Sequence, residues 1–179
     1  MSDSSLKILL KDLNFVSYIE EKGVINPELE GKIGIYAIFN EDKILEYVGY
    51  SRNLFMSLKQ HLVRQPDKCY WLKFYLTPHP SRTILEEIRS NWLTENINLP
   101  KGNNEEENLW IQPIDAKLTM TEEDKIEYQK NDELGKIKFL KKIARRLEEK
   151  VKQKLENRKV TMEIRFNPKL KEDGLLDLK

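Results

Sequence analysis

Gly34-Ile35-Tyr36-Ala37-Ile38-Phe39-Asn40-Glu41-Asp42-Lys43-Ile44-Leu45-Glu46-Tyr47-Val48-Gly49-Tyr50 is the stretch that decides the fold. Ile33 to Phe39 and Ile44 to Tyr50 are apolar and aromatic runs, and Asn40-Glu41-Asp42-Lys43 between them is a polar turn. The whole reads as a β-hairpin. With Glu41 and Asp42 as the loop, paired positions sum to 83, and Tyr36 stands opposite Tyr47 on one sheet face, within cross-strand contact. Two adjacent phenols can serve proton transfer or phosphate contact. They can equally be ordinary strand packing, because tyrosine is enriched in strands.

Working outward, the apolar residues of 4–22 follow a helical pattern, one or two short helices ended by Gly23 and Pro27. Ser51 is the expected N-cap of a helix from Arg52 to about Arg64, with Leu54, Leu58 and Leu62 as its buried stripe. Ser57, His61 and Arg64 share a neighbouring face of that helix. Tyr70 to Leu76 reads as a third strand. Pro78 and Pro80 form a connector, and Ser81 caps a second helix running to about Glu95 with Ile84, Leu85, Ile88 and Trp92 on its apolar side. Leu109 to Ile114 is expected to add a strand. Thr121 and Asp124 open a long helical segment, 122–158, with a possible interruption at Gly135. Ile137, Leu140, Ala144, Leu147, Val151 and Leu155 make its apolar stripe. Val160 to Phe166 alternates like a strand. The expected fold class is therefore α+β: a small, mostly antiparallel three-stranded sheet flanked by helices, with a long basic C-terminal helix and a terminal strand. The expected layout is a helical extension over 1–30, a core domain over 31–104 and an extension over 105–179.

The chain has 179 residues, 39% hydrophobic and 34% charged, and no apolar run long enough for a membrane span. Met1-Ser2-Asp3-Ser4-Ser5 lacks the start of a signal peptide, and Cys69, the one cysteine, cannot form an internal disulfide. A reducing intracellular location is expected: cytoplasmic, or the plastid stroma in a plant. The net charge of +1 hides an uneven distribution. Lys136 to Lys159 carries eleven Lys or Arg against three Glu, whereas Thr121 to Glu133 carries six acids against two lysines. The basic helix can track a nucleic-acid backbone, or it can be neutralised by the acidic segment before it.

The triplets Gly34-Ile35-Tyr36 and Tyr47-Val48-Gly49, followed by Tyr50-Ser51-Arg52-Asn53-Leu54 and by His61, resemble the signature of the GIY-YIG nuclease superfamily over about 31–104. The resemblance implies a metal-dependent endonuclease that hydrolyses DNA phosphodiesters with Mg²⁺ or Mn²⁺. It places Tyr36 and Tyr47 at the site, His61 as an orienting or proton-relay group, and Arg52 as the phosphate contact. Arg64, Lys141, Lys142, Arg145 and Arg146 are the expected nucleic-acid contacts. Two positions depart from the family pattern: Ser57 stands where an arginine is usual, and Arg89 stands where a metal-binding glutamate is usual. Glu86, one turn before Arg89, is the candidate metal ligand, and it also reads as a surface carboxylate salt-bridged to Arg89. Asn103 matches a polar position after the second helix and also reads as an ordinary turn. Within the superfamily the chain is similar to a plant and cyanobacterial subgroup that in plants is joined to a glutaredoxin domain, which admits a redox protein partner and a responsive thiol at Cys69. Two other readings stay open: a domain that binds nucleic acid without cutting it, and a protein-interaction module.

Overall fold

The computed structural model describes residues 7–78 and 81–179. The beginning of the 4–22 segment and Pro80 of the connector lie outside the described residues. The chain is α+β and divides into two compact units, one ending at Ile111 and the other Gln112–Lys179.

The first unit is built on a four-stranded antiparallel sheet of β1 (Val16–Ser17), β2 (Gly34–Phe39), β3 (Leu45–Ser51) and β4 (Trp71–Leu76), in the order β1-β4-β2-β3. Helix α1 (Leu54–Arg64) follows β3, α2 (Arg82–Thr94) follows β4, and the short α3 (Glu107–Ile111) closes the unit. Every residue of β2 is buried. That strand is central, with Ile35, Ala37 and Phe39 packed beside Val48 against Leu85 and Trp92 of α2. Tyr36, on the other face, meets His61 of α1. A strand covered on both faces has no solvent side, which explains its unbroken apolar run.

The hairpin departs from the expected register in two places. The loop has three residues: Asn40 and Ile44 close it, the Asn40 side chain accepts from the amides of Asp42 and Ile44, and Lys43 takes the left-handed conformation at φ 62°. A bulge then lets Phe39 pair with Leu45 while Ile38 pairs with Tyr47, leaving Glu46 unpaired. Each one-residue shift alone would turn Tyr47 to the opposite face. The two together restore it, so Tyr47 shares the face of Tyr36 but lies diagonally, and Gly49 is the residue opposite Tyr36.

Four other expectations are corrected. The apolar N-terminal segment forms no α-helix where described: a 3-10 turn at Leu10–Asp12 leads into β1, because Glu95 takes the amides of Leu10 and Lys11 (2.7 and 3.2 Å) and Tyr18 pairs with Tyr70. Asn53, not Ser51, caps α1. Its Oδ1 accepts from Met56 and from Gly31, while Ser51 Oγ bonds Ser57 Oγ at 2.7 Å. Leu109 to Ile111 is helical, with Trp110 buried beneath it. Val160 to Phe166 contributes one isolated bridge, Phe166 to Leu178.

In the second unit, α4 (Glu122–Lys130) and α5 (Glu133–Asn157) replace the single helix expected over 122–158. The break falls at Asn131 and Asp132, where Asp132 caps α5 by accepting from Gly135 at 2.7 Å. The Thr121 and Asp124 capping box is present. Helix α5 buries Phe139, Leu140, Ile143, Ala144, Val151 and Leu155, and a two-stranded sheet of β5 (Ile114–Asp115) and β6 (Leu175–Leu176) completes the unit. No helix among the described residues is long and apolar enough to cross a membrane.

Candidate functional site

The first unit gathers four aromatic rings on the Tyr36 face of the sheet. Tyr36 Oη lies 2.7 Å from His61 Nε2. Ring centroids are 6.1 Å apart for Tyr36 and Tyr47, and 4.8 Å apart for Tyr47 and His61. Trp110 stacks on Tyr47 at 5.2 Å with only 6° between planes. Local sequence explains how the rings converge. The diagonal register brings both tyrosines over Gly49, where a Cβ would meet Tyr36 Oη and the Tyr47 ring, each at 2.7 Å. Gly102 plays the matching part on the other side, since a Cβ there would strike the Glu46 carbonyl and the Trp110 indole. Asn103 then pins this loop to the β3 edge: Oδ1 accepts from the Val48 amide and Nδ2 donates to the Val48 carbonyl, each at 2.8 Å. One amide side chain thus replaces a strand partner for the exposed edge.

Burial sets the protonation of this cluster. Tyr36 and His61 are 3% and 4% exposed. Desolvation pushes the Tyr36 phenol well above its usual value, helped by neighbouring Tyr47. Tyr47 is raised by the same cause, with Arg89 opposing. His61 is pushed down to about 3, first by burial and then by the Arg64 charge. The Trp110 carbonyl pulls the other way but does not meet hydrogen-bond geometry at His61 Nδ1. Near neutral pH all three groups are therefore uncharged. The Tyr36–His61 bond joins a neutral phenol to a neutral imidazole, with the direction of donation set by the tautomer.

Two guanidinium groups supply the positive charge. Arg64 Nη1 donates to the Trp110 carbonyl at 2.8 Å, which ties α1 to α3. Arg89, on α2, reaches over the β3 edge: Nε donates to the Val48 carbonyl at 3.4 Å and Nη1 pairs with Glu86 at 2.9 Å. Arg52 is exposed just before the Asn53 cap, and the cations acting on the tyrosines are Arg64 and Arg89. Ser57 is occupied with Ser51. The sequence reading gave no part to Trp110 and gave Arg89 only a surface ion pair, missing the Trp110–Tyr47 and Arg89–Val48 contacts. Neither contact has a local signal, since each joins segments far apart in the chain.

Glu86, the expected ligand for Mg²⁺ or Mn²⁺, is not free. Mg²⁺ at a phosphate site is commonly held by one or two carboxylates together with waters and substrate phosphates. Glu86 is instead held by the Arg89 guanidinium, and no group of three His, Cys, Asp or Glu that could hold a metal occurs among the described residues. Cys69 is fully buried, with Sγ 3.6 Å from the His61 carbonyl.

In the second unit, the expected nucleic-acid contacts divide into two pairs. Arg146 forks onto Asp124 at 2.7 and 3.3 Å and holds that carboxyl well below its usual range, and Lys141 pairs with Glu172 at 3.3 Å. Lys142 and Arg145 are exposed and, with Lys138, form a stripe on α5 that makes no ion pair among the described residues.

Comparison with known proteins places part of this chain beside one relative. It is 28% identical over 88 residues to the chloroplastic bifunctional monothiol glutaredoxin-S16 of Arabidopsis thaliana. The match covers 47% of this chain and 30% of that protein, so the chain spans less than a third of the relative's length. No family model matches the sequence.

Proposed function

We propose that this chain carries a GIY-YIG-type domain that engages nucleic acid, DNA first, through its phosphates, and that it binds more readily than it cuts. The observation carrying this reading is the Tyr36–Tyr47–His61 cluster over Gly49, flanked by two arginines and sealed by Trp110. The aromatic arrangement supports the superfamily resemblance. The protonation states argue for weak hydrolysis, because a general base works best with a pKa near the operating pH. His61 at about 3, against an ordinary 6.5, is a base weakened by several powers of ten. The exposed Lys138, Lys142 and Arg145 supply the kind of unpaired charge that phosphate contact uses.

A second reading, an endonuclease, is favoured by the 2.7 Å Tyr36–His61 bond. In that reading water attacks phosphorus and gives its proton to Tyr36 Oη, while the phenol passes its own proton to His61 Nε2. The P–O bond to the leaving sugar oxygen breaks, and that oxygen takes a proton from solvent. The test is supercoiled, linear and branched DNA incubated with purified protein, beside Tyr36→Phe, with retention on labelled duplex measured over a salt series. Salt-dependent retention without cleavage is the expected result. Cleavage lost in Tyr36→Phe moves the conclusion to the endonuclease, and neither retention nor cleavage overturns both readings. The chloroplastic relative supports a reducing, plastid-type setting, and its glutaredoxin name supports a redox protein as a partner.

A further inference from the structure

We infer that Arg89 is a fixed positive charge of this site, so that a phosphate-type anion is taken up directly and not through a divalent cation. The inference deepens the phosphate reading above and rests on it for the identity of the anion.

Three observations carry it. The first is position. Arg89 Nε is anchored on the carbonyl of Val48, the residue between Tyr47 and Gly49, so the guanidinium is held at the edge of the aromatic cluster. Asn103 donates to the same carbonyl from the loop side, which fixes that stretch of β3 from two directions. The second is unused capacity. Glu86 engages Nη1 and Val48 engages Nε, whereas Nη2 has no partner among the described residues and the side chain is 24% exposed. A guanidinium oriented by two partners and open on its third nitrogen presents donors suited to a phosphate oxygen. The third is the donor set. A divalent cation at a phosphate site is held by one or two carboxylates with waters and substrate oxygens, but Glu86, the carboxylate paired with Arg89, is bound by the guanidinium itself. A metal there would have to break the ion pair and then sit beside an arginine. The anion needs neither change.

The experiment is a ¹⁵N NMR titration of the full chain with inorganic phosphate in EDTA, following the Arg89 Nε–H and the Tyr47, Val48 and Gly49 amides. A separate Mn²⁺ titration reads paramagnetic broadening of the same signals. Phosphate should shift them in EDTA, about tenfold more weakly in Arg89→Gln. Arg89→Lys, which keeps charge but not the fork, should fall between, in a spectrum that is otherwise native. Mn²⁺ should not broaden these signals selectively in the wild type. The inference is overturned by selective Mn²⁺ broadening, by phosphate shifts that require Mg²⁺ or Mn²⁺, by shifts indifferent to Arg89→Gln, or by no shift at all. Phosphate uptake in EDTA with no DNA retention would leave the inference standing and remove nucleic acid as the partner.

Discussion

His61 makes the stability of the first unit depend on pH in a direction that can be worked out. Its imidazole is buried and uncharged, with a pKa near 3 against 6.5 for an exposed histidine. At pH values between those two, the unfolded chain binds a proton that the folded chain refuses, so stability falls as pH falls. The contribution is intact above pH 6.5 and is lost progressively down to about pH 3. At pH 5 the loss is about 2 kcal/mol, and the full difference of 3.5 pKa units corresponds to about 5 kcal/mol. The perturbation is His61→Gln, which removes the titrating group and keeps a polar atom near Tyr36. Urea unfolding of both proteins at pH 7.5 and pH 5.0 isolates the term, because carboxylates common to both cancel in the comparison. Wild type should lose about 2 kcal/mol more than the variant over this interval. Equal losses would refute the assignment of a buried, neutral His61, as would a ¹H titration placing its midpoint near 6.5.

Gly49→Ala should destabilise by about 1–3 kcal/mol in denaturant unfolding, because its Cβ would fall 2.7 Å from both the Tyr36 hydroxyl and the Tyr47 ring. Trp110→Ala should cost about 3–5 kcal/mol in the same assay. By opening the face against which Tyr47 stacks, it should also raise the His61 midpoint toward 6.5 in an NMR titration. Replacing Lys138, Lys142 and Arg145 together with glutamine should reduce the salt dependence of duplex binding by about two to three in the log–log slope, read by fluorescence anisotropy. An unchanged slope would remove the α5 stripe from the nucleic-acid surface.

The sequence reading reached the hairpin, α1, the third strand, α2 and the capping box at Thr121, because each has a local cause: alternating or stripe-forming apolar residues beside a capping or turn residue. It also anticipated that Tyr36 and Tyr47 share a face. The register was not legible. Asn40 bonding two amides and Lys43 turning left-handed make a three-residue loop, and nothing in Leu45-Glu46-Tyr47 announces a bulge. The N-terminal segment was misread because its apolar density fits a helix, while the competing partners, Glu95 and Tyr70, lie more than fifty residues away in the chain. Trp110 escaped for the same reason: its indole answers to Tyr47 and Gly102, not to its neighbours. Of the expected site, the structure brings Tyr36, Tyr47 and His61 together with Arg64 close by, and leaves Arg52 on the surface.

The same burial that assembles the aromatic cluster works against proton transfer within it. Desolvation raises both phenols and lowers the imidazole, so the gap a proton must cross from Tyr36 to His61 widens from both ends. Arg64 narrows one side and widens the other, whereas Arg89 acts on the phenol side alone. Arg64 stabilises a phenolate but further disfavours an imidazolium, because one fixed cation favours every anion and opposes every other cation near it. Arg64 therefore cannot favour proton transfer from both ends, and burial leaves the Tyr36–His61 gap wide. What the two guanidiniums do without conflict is attract an anion from outside, since the rings they flank carry no charge of their own near neutral pH. A carboxylate at position 89 would have reversed that balance by drawing a cation to the edge of the tyrosines. In the reading proposed above, the arginine found there favours a phosphate-type anion over a cation, and holding a phosphodiester over breaking one.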